Sequence, residues 1–135
     1  MIKENVFDAL NRKEVAVMHC CNNRHTMGSG IAMTVRRDYP EAYLAYLEST
    51  SNLGTISHAD GIINAVAQNG YGSDGKRYIN YEALIACCLE VNDLAYDTIA
   101  VPYLFGSDRA GGDWNIVKAI LENTLHAQLE IYTLV

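Results

Sequence analysis

Two glycine-rich stretches have the composition of phosphate cradles: NNRHTMGSGIA over residues 22–32 and PYLFGSDRAGGDW over residues 102–114. Glycine lets a backbone approach an anion closely, and a helix start behind it points N–H groups at the charge. Gly28, Ser29, Gly30 and Ile31 are the candidates in the first stretch. Gly106, Ser107 and Ala110 are those in the second, with Arg109 as a nearby cation. Either stretch alone could equally be a tight turn that needs glycine dihedrals. Two of them at one sheet edge argue for a ligand. His19 stands just before the first stretch. There it is either a satisfied core residue or a group that donates or accepts a proton at a bound phosphate. A third stretch, GYGSDGKR over residues 70–77, matches G-x-x-x-x-G-K, but Arg77 stands where Ser or Thr would hold magnesium. That excludes a nucleoside triphosphatase. The stretch is a solvated loop or a lid, in which Tyr71 would shield a bound ligand.

The elements that position these residues follow from periodicity. Residues 15–21 (VAVMHCC), 61–67 (GIINAVA), 98–103 (TIAVPY) and 129–134 form short apolar runs that predict strands. Helices are predicted over 28–37, over 41–48 behind Pro40, from Tyr81 onward, and after Asp113, a natural N-cap. The expected buried faces are Tyr43, Leu44 and Leu47; then Tyr81, Leu84, Ile85, Cys88 and Leu89; then Ile116, Val117, Ile120, Leu121 and Leu125. Strands alternating with helices predict an α/β fold with helices on both faces of a mixed or mostly parallel sheet. Ligands of such sheets sit outside the carboxyl ends of the strands, and all three glycine-bearing stretches follow strands.

With 135 residues, one domain over 1–135 is expected. The net charge of −6 argues against direct nucleic-acid binding, which relies on Lys and Arg at phosphates. No apolar run is long enough for a bilayer span and no signal peptide is evident. The four cysteines fall as Cys20–Cys21 and Cys87–Cys88 in apolar runs, which predicts buried free thiols and a cytoplasmic location. His25, His58 and His126 read as exposed. No pair of histidines has metal-ligand spacing, so neither a metal nor a cofactor is expected. Trp114 reads as a packing anchor.

Taken together, HCCNNRHTMGSGIAMTVRRDYPEAY, NAVAQNGYGSDGKRYINYEAL and PYLFGSDRAGGDW resemble, in order, the ligand loops of macrodomains. The similarity runs from Val15 to about Ile120. It is greatest to the branch of small phage, bacterial and fungal proteins known as ADP-ribose-1″-phosphate phosphatases, which also holds enzymes that remove ADP-ribose from protein or nucleic acid.

The resemblance implies a three-layer α/β/α fold with a mixed central sheet and an ADP-ribose cleft at its edge. It implies that Gly28, Ser29, Gly30 and Ile31 face the diphosphate and distal ribose, and that residues 106–110 wrap the diphosphate from the other side. Asn22 matches an asparagine that contacts the distal ribose. His19 matches a histidine suspected of catalysis in the phosphatase branch. Asn5 and Val6 fall at the adenine site, with Asn5 in place of an aspartate. His25 and Asp108 each replace a glycine; Asp108 would serve as an acid, a base or a ribose partner. The catalytic lysine and aspartate of the de-ADP-ribosylating relatives find poor matches: Ala110 aligns with the aspartate, and Lys76 does not align as the lysine. The expected activity is metal-independent removal of the terminal phosphate of ADP-ribose 1″-phosphate. The alternatives are hydrolysis of ADP-ribosylated protein or nucleic acid, or binding of ADP-ribose or another NAD-derived signal without turnover.

Overall fold

The structure, a computed structural model, describes residues 1–135 except Ser29, Ser73 and Val135. The strands are β1 (Val15–Asn22), β2 (Ile56–Ala59), β3 (Ile62–Gln68), β4 (Thr98–Pro102) and β5 (Gln128–Tyr132). Apolar runs with near-complete burial become the three central strands β1, β3 and β4, and the two edge strands β2 and β5 are more exposed. The helices are α1 (Gly30–Asp38), α2 (Pro40–Glu48), α3 (Tyr81–Asn92) and α4 (Trp114–Thr124), and a 3-10 helix covers Val6–Asn11. The sheet order is β2-β3-β1-β4-β5. β1 pairs in parallel with β3 and β4, β4 pairs in parallel with β5, and β2 runs antiparallel to β3. The fold is therefore α/β with a mixed sheet, as the alternation of elements predicts. The carboxyl ends of β1, β3 and β4 share one edge, which brings the three glycine-bearing loops to one place.

Alternation along each strand divides the core in two. On one face Ala16, Met18, Ile63, Ala65, Ile99 and Val101 pack against Leu84, Cys88, Val117 and Leu121 of α3 and α4. On the other, Val15, Val17, Ile62, Val66 and Ala100 pack against Val35, Ala42 and Tyr46 of α1 and α2 and against the 3-10 helix. Side-chain caps begin two of the helices as polar residues before an apolar run predict. Asn80 accepts from the Ala83 N–H at 2.9 Å, and Asp113 accepts from the Asn115 N–H at 2.8 Å.

The helices differ from expectation in the faces they bury. α2 turns Ala42 and Tyr46 inward and leaves Leu44 and Leu47 exposed. α3 buries Ala83, Leu84, Cys87, Cys88 and Val91, whereas Ile85 and Leu89 face outward, Leu89 at 56% exposure. α4 buries Val117 and Leu121 and exposes Ile116. The apolar arc of each helix is wider than the stripe a flat sheet can cover. In α2 and α3 the buried side includes small residues (Ala42; Ala83, Cys87 and Cys88), which let the helix approach the sheet closely, and periodicity alone cannot distinguish the two edges of the arc. Two elements escape the periodicity analysis. β2 is a short edge strand, ISHA, with no apolar run, and the 3-10 helix is VFDALN, capped by the Asn5 side chain. At the N-terminus Ile2 forms an isolated parallel bridge with Tyr132.

This orientation of α3 predicts opposite outcomes for two leucines. Leu84→Ala should destabilise by about 2–5 kcal/mol and Leu89→Ala by less than about 0.5 kcal/mol in urea denaturation.

Candidate functional site

A cleft of about 530 Å³ opens at the carboxyl edge of the sheet, within the usual range for small-molecule sites. All three glycine-bearing loops line it. The first loop is built around the Asn22 side chain. Between Cys21 and Asn22 the register with β3 shifts by one residue, a bulge that re-aims the strand end. Asn22 Oδ1 then accepts from the Arg24 N–H at 2.8 Å, and Asn22 Nδ2 donates to the Thr26 carbonyl at 2.8 Å. The buried Tyr46 hydroxyl of α2 donates to the Asn22 carbonyl at 2.5 Å and lies 3.0 Å from Oδ1. Asn22 thus organises the loop as well as lining the cleft.

His25 is half-buried and corrects the expectation of an exposed residue. Its φ of +55° is left-handed, which explains why glycine suits the position. The ring offsets that strain: Nε2 bonds the Ser49 carbonyl at 2.8 Å and the ring packs tilted on Tyr46.

The first loop then passes into α1, whose first turn places Gly30, Ile31 and Ala32 in the cleft wall. Gly30 has φ +59° and open space where a Cβ would stand. A helix start leaves N–H groups without partners inside the helix, and these, with the positive end of the dipole, suit an anion.

Hydrogen bonds run from loop to loop. Asn23 Oδ1 accepts from the Gly70 N–H at 2.9 Å and its own N–H donates to the Gln68 carbonyl at 3.1 Å, joining the first and second loops. The Ala110 carbonyl accepts from the N–H groups of Tyr78 and Ile79 at 2.7 and 3.1 Å, joining the second and third. The third loop is drawn tight by Gly106 and Gly111, both left-handed. A Cβ on the first would collide with Ile79, and one on the second with the Lys76 carbonyl.

Of the residues expected from sequence, His19, Asn22, Gly28, Gly30, Ile31, Tyr71, Gly106, Asp108, Arg109 and Ala110 line this one cleft. Tyr71 stands at its mouth, 57% exposed. Asp108 and Arg109 are exposed and bring opposite charges to the third loop. Three expected residues do not line it. Ser107 turns its hydroxyl toward the Phe105 carbonyl at 3.4 Å. Val6 is buried in the core. The Asn5 oxygen is taken by the Phe7 N–H at 3.0 Å, the cap of the 3-10 helix. Ser29 lies outside the described residues. Sequence reasoning did not single out Thr26, Gln68, Cys20 or Tyr103 as lining residues. Tyr103 follows Pro102 directly within the third loop, the one signal that could have found it; it packs edge-on to Trp114 at 5.4 Å. Leu104, also in the cleft wall, holds a left-handed φ of +64°, a strained conformation for a leucine.

His19 is 2% exposed at the cleft floor. Its Nε2 lies 2.6 Å from Oδ1 of the fully buried Asn64, and Cys21 Sγ lies 3.5 Å from Nε2 and 3.7 Å from Nδ1. Burial pulls its pKa to about 4, against the smaller opposing effect of the Asn64 hydrogen bond, so the ring is neutral at neutral pH. Burial likewise pushes the Cys20 and Cys21 thiols up, which leaves both protonated.

The histidine carries a stability signature. Its folded pKa lies below the ordinary 6.5, so the unfolded chain binds the extra proton, and stability present above pH 6.5 is lost as pH falls toward 4. From pH 7.5 to pH 5 the loss assigned to His19 is about 2 kcal/mol. In urea denaturation, His19→Gln should show a correspondingly smaller decline over that range.

No family model matches the sequence. The chain is 29% identical over 132 residues to an uncharacterised 17.5 kDa protein from the tk-vs intergenic region of Enterobacteria phage T4, covering 85% of this chain and 82% of that protein. Among solved structures, a Bacteroides thetaiotaomicron protein superposes with a TM-score of 0.80 at 22% identity, over 98% of this chain and 97% of that one. The macrodomain of Thermus aquaticus DarG gives 0.74 at 20% identity, over 99% and 95%. Thermosipho africanus DarTG, solved in complex with ADP-ribose, gives 0.69 at 15% identity, over 89% of this chain and 38% of that one. Near-complete overlap with the DarG macrodomain at that TM-score establishes that this chain has the macrodomain fold.

Proposed function

We propose that residues 1–135 act as a single macrodomain that binds ADP-ribose in the cleft and removes the terminal phosphate from ADP-ribose 1″-phosphate. The observation that carries this reading is the meeting of three loops and the N-terminus of α1 in one cleft with His19 at its floor. The Thermosipho africanus neighbour was solved in complex with ADP-ribose, which supports ADP-ribose as the ligand class to test in this cleft. The diphosphate would lie between the first turn of α1 and the third loop, held by backbone N–H groups and by Arg109. Such a cradle neutralises phosphate with dipoles in place of a metal. Tyr71 would close over the bound ligand.

In the reaction a water attacks the terminal phosphorus, the bond from phosphorus to the 1″ oxygen breaks, and ADP-ribose and inorganic phosphate leave. Neutral His19 would accept a proton from that water, or attack phosphorus itself in a two-step route. It does not serve as the acid at neutral pH, because its ring carries one proton only. Asp108, exposed in the third loop, is the candidate to manage the leaving oxygen or the ribose hydroxyls. Asn22 would hold the first loop against the distal ribose. Asn5 does not line the cleft and its side-chain oxygen already accepts from the Phe7 N–H, so adenine recognition would not rest on it in this reading.

A second reading, hydrolysis of ADP-ribose from modified protein or nucleic acid, draws on the resemblance of the loops to a macrodomain branch that holds such enzymes and on the exposed position of Asp108. It uses the same cleft.

The test is phosphate release from ADP-ribose 1″-phosphate without added metal. The wild-type protein should release phosphate, and His19→Ala should lose about 10²–10⁴-fold in rate while still binding ADP-ribose by calorimetry. Full activity in His19→Ala removes that residue from the chemistry. Release of ADP-ribose from a modified macromolecule, with no phosphatase activity, would favour the second reading. Tight ADP-ribose binding with neither activity would make the protein a binder.

A further inference from the structure

The geometry points to Asn64 as the positioning residue for His19: it holds the imidazole as the Nε2–H tautomer and leaves Nδ1 as the acceptor. His19 and Asn64 are register partners on β1 and β3, so their side chains leave the same face of the sheet side by side. Asn64 is fully buried, and its amide orientation follows from its other contacts. Nδ2 lies 3.0 Å from the Ala42 carbonyl of α2 and 3.1 Å from Ser57 Oγ of β2. A carbonyl can only accept, so Nδ2 is the atom that faces it, and Oδ1 is the atom that faces His19 at 2.6 Å. An amide oxygen also can only accept, so the imidazole must donate from Nε2. In the neutral ring Nδ1 then carries the lone pair. The Cys21 thiol also lies beside the ring, 3.5 Å from Nε2 and 3.7 Å from Nδ1; burial keeps it protonated, so it brings no charge to either nitrogen. Nothing in this set supplies a carboxylate to stabilise an imidazolium. Four elements meet here, β1, β2, β3 and α2, and the amide ties them to one ring orientation.

The catalytic consequence rests on the phosphatase reading; the tautomer does not. A base or nucleophile at phosphorus needs an unprotonated nitrogen, and Asn64 determines which nitrogen that is. Asn64→Asp has nearly the same shape but presents an anion to Nε2, which favours the doubly protonated ring.

The experiment is nitrogen NMR of the histidine side chains between pH 5.5 and 8, with His19 assigned through His19→Gln. In the wild type His19 should show a protonated Nε2 and an unprotonated Nδ1 throughout. The opposite tautomer, or a charged ring at pH 7, overturns the proposal. In Asn64→Asp both ring nitrogens should be protonated at pH 7. If that variant retains the neutral wild-type pattern, Asn64 is not what governs the ring. Should Asn64→Asp fail to fold, the wild-type spectrum still decides the tautomer, and Ser57→Ala provides a milder loosening of the amide, expected to leave the tautomer in place and broaden the His19 signals. In phosphate release, Asn64→Asp should lower kcat about 100-fold or more with KM nearly unchanged. Absence of phosphate release in the wild type would overturn the phosphatase reading and leave the tautomer to be judged by the spectra.

Discussion

The parallel pairing of β1 with β3 on one side and β4 on the other is the constraint on which the cleft depends. Parallel strands deliver their carboxyl ends to one edge, so the loops after them must leave the sheet within a few ångströms of each other. Their backbone groups cannot all pair within the sheet and must find partners among neighbouring loops or ligands. Asn23 joins the first loop to the second, and the Ala110 carbonyl joins the third loop to residues 78 and 79. The cleft wall is thereby one hydrogen-bonded structure made of three separate stretches of chain. Gly106 and Gly111 are where this joining leaves no room for a side chain.

Beneath the cleft, polar groups are buried in places where apolar residues would pack at lower cost. The Tyr46 hydroxyl reaches from α2 to Asn22, and Asn64 reaches from β3 to His19, Ala42 and Ser57. Among the described residues no buried side-chain nitrogen or oxygen lacks a hydrogen-bond partner. Such satisfied networks are tolerated in a core, and they restrict side chains to one arrangement more strictly than packing does. Both networks end at cleft residues. Leu104 in the cleft wall and His25 in the first loop both hold left-handed backbone, and the ring of His25 offsets that strain through its contacts with Ser49 and Tyr46.

Much of the sheet was legible in the chain because buried parallel strands read as short apolar runs: VAVMHCC, IINAVA and TIAV each announce themselves. The glycines of the first and third loops were legible as well, since left-handed backbone and close approach leave few alternatives to glycine. What periodicity could not supply was the rotation of each helix about its own axis. Leu84 and Leu89 look alike in sequence, and only the distance of each from the sheet separates them. The edge strand β2 was invisible because a half-exposed strand of four residues carries too few apolar positions to rise above a loop.

The chemistry divides along the same line. From the sequence by itself come the alternation of strands and helices, the glycines of the loops and a histidine at the end of the first strand, because these depend on residue type and local spacing. The tertiary structure alone decided that His19 faces Asn64, that the Asn5 oxygen belongs to the 3-10 helix, and that Ser107 turns away while Tyr103 turns in. Each of those outcomes depends on pairing register and on which groups are desolvated together, and both are properties of residues far apart along the chain.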